Sequence, residues 1–337
     1  MGVTDRVKNW ISKDIREGVY PPGSKLPTRM TMMKKYSIAR ASIDKVIRQL
    51  VEEGLLSSTQ GSGTYVLDAR NSEPHIYIVL NTEVECEEAN LFHAKLSTML
   101  ADVSRNTRHT IVGSREFEKT FSEVLQNPRS RVVWSRPSIK SYGYIASLSK
   151  AAIPQILINR PIPAYNFATT NTKKALDEVF KIVEQEKPGA SMGLVVPPLD
   201  LEESFLAERE VYFHQLVSEY SFKVNFFGRT DDKSTRAILS VLRKALDKVD
   251  EIDYLFVPDF YMVPFVITLA DERGIEFGKD LKLITIDWNE DIEAKGIICV
   301  KQKWDSMFQI ALNWAQAEKV SKIQEFVTPE VVSSYCV

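Results

Sequence analysis

The fold of the amino-terminal region is determined by residues 15–66, which read IREGVYPPGSKLPTRMTMMKKYSIARASIDKVIRQLVEEGLLSSTQGSGTYV. The proline-rich break at 20–23 ends a first helix near Gly18, because proline has no amide donor and restricts the residue before it. Apolar residues then recur at helical spacing on two further segments. The first segment has Met30, Met32, Met33 and Tyr36, and the second has Ile38, Ile43, Val46, Ile47, Leu50 and Val51. This stretch therefore predicts three short helices that share one core.

A two-stranded hairpin is expected after the third helix. Gly54 lies where a helix C-cap glycine belongs, and LSST and TYV flank a tip at 60–63 whose glycines allow positive φ. The second and third helices are separated by a turn at 37–39. This pair is typical of a helix-turn-helix, in which the start of the second helix lies in a DNA major groove.

The same residues resemble the winged helix-turn-helix of GntR-type bacterial transcription regulators. The resemblance rests on YPPGSKLPT at 20–28, Arg40-Ala41-Ser42-Ile43, Gly54-Leu55 and Gly61-Ser62-Gly63-Thr64. It implies that the recognition-helix start and the wing contact double-stranded operator DNA. We expect the DNA-binding residues to be Arg29, Arg40, Ser42, Lys45, Gly61 and Gly63.

Three residues depart from the pattern of that family. Met30 and Asp44 stand where arginine is common, and Ala39 stands where serine or threonine is usual. An acid facing phosphate is repulsive, so we expect an operator unlike the family consensus, with replacement charge from Arg29, Lys45 and Arg48. Two interpretations of Asp44 stay open: it accepts from a cytosine amino group, or it pairs with Arg40 or Arg48 one turn away.

Composition separates a basic head from an acidic body. The chain has 337 residues, enough for two or three domains, with 44% hydrophobic and 26% charged residues. Residues 1–70 hold 12 Lys and Arg against 7 Asp and Glu, a net +5, and the remainder holds 31 against 38, a net −7. A DNA-binding module joined to a part that does not bind DNA has this asymmetry.

Cysteine and histidine usage argues against a disulfide framework and against a metal site. The three cysteines (Cys86, Cys299, Cys336) and four histidines (His75, His93, His109, His214) are isolated, without a CxxC pair. There is no signal-peptide run and no apolar stretch of about 18 residues. We therefore expect a cytoplasmic protein without a metal, a cofactor or a membrane partner.

From residue 75 onward, short apolar strands alternate with amphipathic helices. Strands are predicted at 76–80, 110–113, 131–134, 154–159, 191–196, 223–227, 253–257 and 282–287. Helices are predicted near 88–104, 116–126, 141–151, 172–187, 201–220, 233–249 and 261–273, with a return near 297–320. This order predicts two parallel sheets covered on both faces. The expected architecture is a small α+β winged helix-turn-helix domain at 1–67, a linker at 68–74, and an α/β two-lobed ligand-sensing and dimerisation domain at 75–337.

This second part resembles LacI-type sensor domains, which share the fold of type I periplasmic sugar-binding proteins. The resemblance rests on IPQILINR at 153–160, on REVYF at 209–213, on Asp259 with the helix through Gly274, and on KDLKLITID at 279–287. Tyr212 and Trp288 depart from the family pattern, which often has glycine and a second aspartate there.

Ligands of open α/β sheets bind beyond the carboxyl ends of the strands, which in a two-lobed protein face a common cleft. By that rule, and for Arg209 by the resemblance, we expect a ligand site formed by Asn81, Asn159, Arg160, Arg209, Asp259, Tyr261, Asp287 and Trp288. Amide, carboxylate and guanidinium groups suit the hydroxyls of a sugar, and an aromatic ring covers its apolar face. Three alternatives remain: an inter-lobe ion pair of Arg209 with Asp287, aromatic lids over a local core, and crossover caps at Asn159 and Arg160.

The sequence thus predicts a dimeric, ligand-responsive transcription regulator that represses a carbohydrate-use operon, with a sugar effector between the two lobes. Alternatives are a non-sugar ligand, a protein partner in place of a ligand, and an α/β enzyme attached to the DNA-binding head. The enzyme is disfavoured, because the chain lacks a GxSxG elbow, a Walker loop and a GxGxxG after a strand.

Overall fold

The computed structural model of the chain describes residues 3–16, 18–59, 62–67, 74–82, 108–127, 129–198, 204–287, 296–317 and 319–333. Its amino-terminal part contains three helices and a hairpin: α1 (Val3–Arg16), α2 (Arg29–Tyr36), α3 (Arg40–Glu52), β1 (Leu56–Thr59) and β2 (Gly63–Val66). The two strands pair antiparallel from Leu56↔Val66 to Thr59↔Gly63. The predicted winged helix-turn-helix is confirmed.

One apolar cluster holds the three helices together. Its buried members come from all three helices, the wing and the segment before α2: Val7, Ile11, Ile15, Leu26, Met32, Ile43, Val46, Ile47, Leu50, Leu56 and Val66. The prediction that Met30 faces this core is wrong, since Met30 is 67% exposed whereas Met32 is 2% exposed. Residues two positions apart on an α-helix point about 200° apart around its axis, so Met30 and Met32 cannot both face the core.

The first α/β sheet is built on strands that follow residue 74. Its strands are β3 (His75–Leu80), β4 (His109–Gly113), β5 (Ser130–Ser135), β6 (Gln155–Ile158), β7 (Asn166–Thr170) and β13 (Gln324–Val327). The hydrogen-bonded order is β13-β7-β6-β5-β3-β4. The accompanying helices are α4 (Phe117–Gln126) and α5 (Tyr142–Lys150). The predicted helix at 88–104 lies outside the described residues.

The second α/β sheet repeats this arrangement. Its strands are β8 (Ser191–Val196), β9 (Lys223–Arg229), β10 (Tyr254–Val257), β11 (Lys282–Ile286), β12 (Ile297–Lys301) and β14 (Glu330–Ser333), in the order β14-β12-β11-β10-β8-β9. The helices are α6 (Thr172–Glu186), α7 (Ser204–Glu219), α8 (Thr235–Leu246) and α9 (Val263–Glu272). A last helix, α10 (Trp304–Gln316), follows β12, and its Ala315 carbonyl accepts from Arg131 of β5 in the first sheet. Short 3-10 turns lie at Ile139–Ser141, Val249–Glu251 and Phe260–Met262.

Apolar side chains cover both faces of the second sheet. Phe180 of α6 and Phe213 of α7 pack on one face with Phe256 of β10. Leu242 of α8 and Val266 of α9 pack on the other face. Five strands of this sheet run parallel, as the apolar strands of the sequence predicted, whereas the added strand β14 pairs antiparallel with β12.

The sequence did not predict four of the strands found among the described residues, namely β7, β12, β13 and β14. They pair with one another, β13 with β7 and β14 with β12, as Gln324↔Phe167 and Ile298↔Ser333 show. By internal contacts, Met1–Ile156 with Leu312–Ser321 forms one compact unit, and Leu157–Ala311 with Lys322–Val337 forms another. The domain boundaries at 67 and 75 stay a prediction. Within the described ranges, no helix is long and apolar enough to cross a lipid bilayer.

His75 at the start of β3 is a buried histidine with a perturbed charge state. Its Nε2 lies 2.8 Å from Thr110 Oγ1, and its ring stacks on Tyr77 with centroids 4.2 Å apart. Burial lowers the pKa of His75, the Arg108 charge lowers it further, and the Glu123 carboxylate opposes this. The folded chain therefore favours the neutral imidazole.

This shift predicts a loss of stability in mild acid. Below about pH 6.5 the unfolded histidine binds a proton that the folded state resists, so the free energy of unfolding falls as the pH decreases toward the folded pKa. Urea denaturation of wild type and His75→Asn between pH 5.5 and 7.5 measures this component. The free energy of unfolding of His75→Asn should depend less on pH than that of wild type. His214→Asn, at an exposed histidine, should show the pH dependence of wild type. Equal slopes for wild type and His75→Asn would contradict the prediction.

Candidate nucleic-acid interface and ligand site

The recognition helix α3 buries one face and exposes the start of the other. Ile43, Val46 and Leu50 lie in the core, whereas Lys45 is exposed and the Arg40 side chain is 77% exposed. Ala39 at the N-cap makes no side-chain capping hydrogen bond. The first turn of a helix carries backbone donors and partial positive charge, which favour an anion. Arg40, partly exposed Ser42 and Lys45 are thus placed where a phosphate or a base edge can approach.

Arg29 joins three elements of the head. Its Nε lies 3.3 Å from Asp44 Oδ1 on α3, and its Nη1 donates to Thr64 Oγ1 on β2 at 2.6 Å. The other carboxylate oxygen of Asp44 lies 3.9 Å from Arg40 Nε. Of the pairings considered for Asp44 from the sequence, the one with Arg40 is present, and the pairing with Arg29 was not anticipated.

The wing is supported by the segment that precedes α2. Leu26 N donates to Thr64 O at 2.7 Å, and Val66 N donates to Ser24 O at 2.8 Å. Gly63 has φ +124, and a Cβ there would lie 2.3 Å from Lys25 Cε. The positive φ therefore favours glycine at 63, independently of any DNA contact, whereas the flexible Lys25 side chain could move away from a Cβ. Gln60 and Gly61 at the tip lie outside the described residues.

Arg209 and Asp287 form the centre of the candidate ligand site. Arg209 on α7 is 4% exposed, donates from Nη1 to Pro258 O at 2.5 Å and from Nη2 to Asp287 Oδ2 at 3.2 Å. Pro258 directly follows β10 and Asp287 directly follows β11. These strands pair in parallel, so their carboxyl ends lie at one edge of the second sheet. Arg209 and Asp287 thus form an ion pair, but it links α7 to the end of β11 within the second sheet and is not the inter-lobe pair considered from the sequence.

An aromatic ring lies between two guanidinium groups at this position. The Phe205 ring centroid is 4.9 Å from Arg209 Cζ and 5.0 Å from Arg160 Cζ, distances typical of cation–π contacts. Arg160 is buried and donates to Asn159 O at 2.8 Å. Asn159 has φ +55 and accepts from Thr169 Oγ1 at 3.2 Å. The structure therefore places Arg160 and Arg209 on Phe205, with Asn159 hydrogen-bonded to Arg160 and Asp287 hydrogen-bonded to Arg209.

Two polar residues of this site were missed by the sequence reasoning. Gln302 Nε2 donates to Asp287 Oδ1, and Thr170 Oγ1 donates to Gln302 Oε1 at 2.5 Å. Gln302 directly follows β12. The sequence prediction gave no bounds for a strand there, so the rule that places ligands at strand ends could not be applied to Gln302. Thr170 ends β7, which the sequence did not predict. Phe205 was missed because it lies one turn before Arg209 on a helix.

The remaining predicted residues lie elsewhere or have local roles. Asn81 follows β3 and donates to Arg136 O at 3.0 Å, which joins the ends of β3 and β5. Asp259 accepts from Tyr261 N at 3.2 Å, as the cap of a 3-10 turn, and Tyr261 is 45% exposed. Trp288 lies outside the described residues.

The described residues contain no group of histidine, cysteine, aspartate and glutamate that could hold a metal ion. Cys299 is a buried free thiol, and burial together with the Asp287 charge raises its pKa well above the usual range. Cys86, Cys336 and His93 lie outside the described residues. The polar groups at the second sheet edge are instead those that bind hydroxyls: the Asp287 carboxylate, the Arg209 guanidinium and the Gln302 amide.

Comparison with known proteins assigns the amino-terminal part. Residues 3–66 match the family described as bacterial regulatory proteins, gntR family. This part of the chain is a GntR-type helix-turn-helix domain. The HTH-type transcriptional regulator YurK of Bacillus subtilis is 46% identical over 61 residues, which are 18% of this chain and 25% of YurK. The mannosyl-D-glycerate transport/metabolism system repressor MngR of Escherichia coli is 37% identical over 68 residues, 20% of this chain and 27% of MngR. The chain spans about a quarter of the length of these two curated relatives.

The part that follows the GntR-type domain has the fold of LacI-type regulators. A LacI family transcription regulator from Clostridium acetobutylicum superposes with TM-score 0.62 at 15% identity, covering 77% of this chain and 99% of that protein. The regulator CCPA from Weissella paramesenteroides, solved with bound glucose, superposes with TM-score 0.59 at 14% identity, covering 77% and 96%. The predicted two-sheet fold is confirmed at this level.

The contacts of Asp287 predict a stability loss when its carboxylate is removed. Asp287→Ala leaves buried Arg209 and Gln302 each without one partner, so the free energy of unfolding should fall by about 1–3 kcal/mol. Alanine also tolerates the left-handed φ of +75 poorly. Asp287→Asn keeps the shape and tolerates that φ, so its loss should be smaller. Urea denaturation measures both, with Asp231→Ala at an exposed site as control; an unchanged Asp287→Ala protein would contradict the expectation.

Proposed function

We propose that the chain is a ligand-responsive transcription regulator that represses a carbohydrate-use operon. The observation that carries this proposal is the union of a GntR-type DNA-binding domain and a LacI-type fold in one chain. MngR supports the choice of a repressor by its name, and the glucose-bound CCPA structure supports the choice of a sugar. Catalysis plays no part in this proposal.

The proposed DNA complex contains a homodimer on a double-stranded operator. Each protomer places the start of α3 in a major groove and the wing beside it, as helix-turn-helix dimers do on two half-sites. Arg40, Ser42 and Lys45 on α3 and Gly61 and Gly63 in the wing supply the contacts. High exposure of Arg40 and the uncapped start of α3 support this assignment.

The proposed effector binds at the carboxyl edge of the second sheet. Arg209, Asp287 and Gln302 there offer donors and an acceptor to neighbouring hydroxyls, and Phe205 offers an apolar face. The ligand must bind one arrangement of the regulator better than the other, because only differential affinity shifts the population. Binding to the arrangement with low operator affinity releases the operon.

The DNA-binding proposal is tested with the full chain and a duplex from upstream of its own operon. Fluorescence anisotropy should show binding that weakens steeply with salt, since phosphate contacts release counterions. Arg40→Ala should weaken binding by about tenfold or more, because one good arginine–base pair contributes about 1–3 kcal/mol. Arg236→Ala removes an exposed arginine from α8 and should bind like wild type. Salt-insensitive binding, or none, would refute the proposal.

The effector proposal is tested by thermal shift against mono- and disaccharides. A sugar at about 100 times its Kd should stabilise the wild type by about 2.7 kcal/mol. Asp287→Asn should lose most of that shift, and Asp231→Asn should retain it. If no sugar stabilises the wild type, the effector belongs to another chemical class or the site acts through a protein partner.

A further inference from the structure

We propose that Asp44 is a positioning residue for DNA reading, whose carboxylate holds the Arg29 and Arg40 guanidiniums and, through Arg29, ties the recognition helix to the wing. This inference rests on the proposed DNA-binding function and deepens it. We name the group formed by Arg29, Arg40, Asp44 and Thr64 the Asp44 clamp. Its members come from α2, α3 and β2.

The two oxygens of the Asp44 carboxylate are divided between two cations. Oδ1 accepts from Arg29 Nε at 3.3 Å, and Oδ2 lies 3.9 Å from Arg40 Nε. The Asp44 side chain is 43% exposed and that of Arg40 is 77% exposed, so the pair lies at the surface that the first turn of α3 presents. A carboxylate one turn along α3 thereby restricts where the Arg40 side chain lies.

Arg29 extends the clamp to the wing. Its side chain is only 30% exposed, and its Nη1 donates to Thr64 Oγ1 at 2.6 Å. Thr64 is 2% exposed, and its hydroxyl also lies 3.2 Å from Ser58 Oγ on the paired strand. Because both β1 and β2 are involved, the planar guanidinium of Arg29 fixes the wing relative to α3. Arg29 in this geometry orients other groups instead of extending to a phosphate.

Neutralising Asp44 has opposite expected effects on affinity for the preferred DNA sequence, depending on whether Asp44 positions Arg40 and the wing or only repels phosphate. A lone acid near phosphate is repulsive, so its neutralisation should tighten binding to every duplex. If Asp44 positions Arg40 and the wing, its neutralisation instead weakens binding to the preferred sequence, since base readout depends on the direction of the side chain. Random-sequence DNA, which is bound through phosphate, should still be bound more tightly.

We expect Asp44→Asn to be as stably folded as the wild type, so a difference in DNA affinity would not reflect unfolding. Exposed ion pairs contribute little to folding free energy, so the melting temperature of Asp44→Asn should equal that of wild type. A matched control exists on the same helix, because Glu52 is an exposed acid at the other end of α3. Glu52→Asn and Glu52→Gln change the charge by the same amount away from the clamp.

The experiment uses the full chain and a duplex selected by the wild type from a random pool. Asp44→Asn should bind the selected duplex about tenfold more weakly than wild type, the scale of one base contact, and bind random duplex more tightly. Glu52→Gln should shift both affinities slightly in the same direction. Reselection with Asp44→Asn should give a relaxed base preference at the half-site positions.

A second pair of variants tests the link to the wing. Thr64→Val removes the acceptor of Arg29 and should reproduce the loss of selected-duplex affinity, whereas Thr64→Ser keeps a hydroxyl and should retain most of it. Tighter or equal binding of the selected duplex by Asp44→Asn, with an unchanged base preference, would overturn the clamp alone. If the wild type selects no duplex, the proposed DNA-binding function itself fails, and the clamp fails with it.

Discussion

Parallel pairing of β10, β11 and β12 is the constraint on which the candidate ligand site depends. Because the strands run in one direction, the residues that follow them, Pro258, Asp287 and Gln302, lie at one edge of the sheet. Because apolar helices cover both faces of the sheet, a polar group there would be buried among apolar side chains. Polar side chains are therefore placed at the strand ends. Arg209 reaches this edge from α7 and bonds to the ends of two strands. The direction of the strands therefore determines which sequence positions meet at the site, and the side chains at those positions determine its chemistry.

The amino-terminal head obeys a different constraint. Its helices are short, and a single apolar cluster orients α3 against α1 and the wing. Local signals in the sequence were sufficient here: Gly54 adopts φ +66 after α3, and Ser37 adopts φ +54 after α2. What the sequence did not predict is the contact of Arg29 with Asp44, which are 15 positions apart. Helical periodicity pairs Asp44 with residues one turn away, and only the packing of α2 on α3 adds Arg29.

The same distinction explains which strands were predicted. Most of the predicted strands, such as β3, β8 and β10, carry continuous apolar runs, which identify them locally. The missed strand β7 reads NFATT and pairs with β13 more than 150 positions later, from Gln324↔Phe167 to Val327↔Thr170. Such pairing leaves no periodic signal in either segment. The site residue Thr170 was lost with its strand. Asp287 was found because it ends a predicted strand, whereas Arg209 was found only through the family resemblance.

Backbone conformation also restricts which residues can follow the strands of the two sheets. Arg136, Asn159 and Asp287 are each the first residue after a strand, and each has a positive φ, of 49, 55 and 75 degrees. Glycine, asparagine and aspartate adopt that conformation at the lowest cost. At positions 159 and 287 the turn itself thus favours short oxygen-bearing side chains. Variation in ligand preference, whether by natural drift or in an engineered library, has more freedom at neighbouring positions with ordinary backbone geometry, such as Phe205 and Gln302.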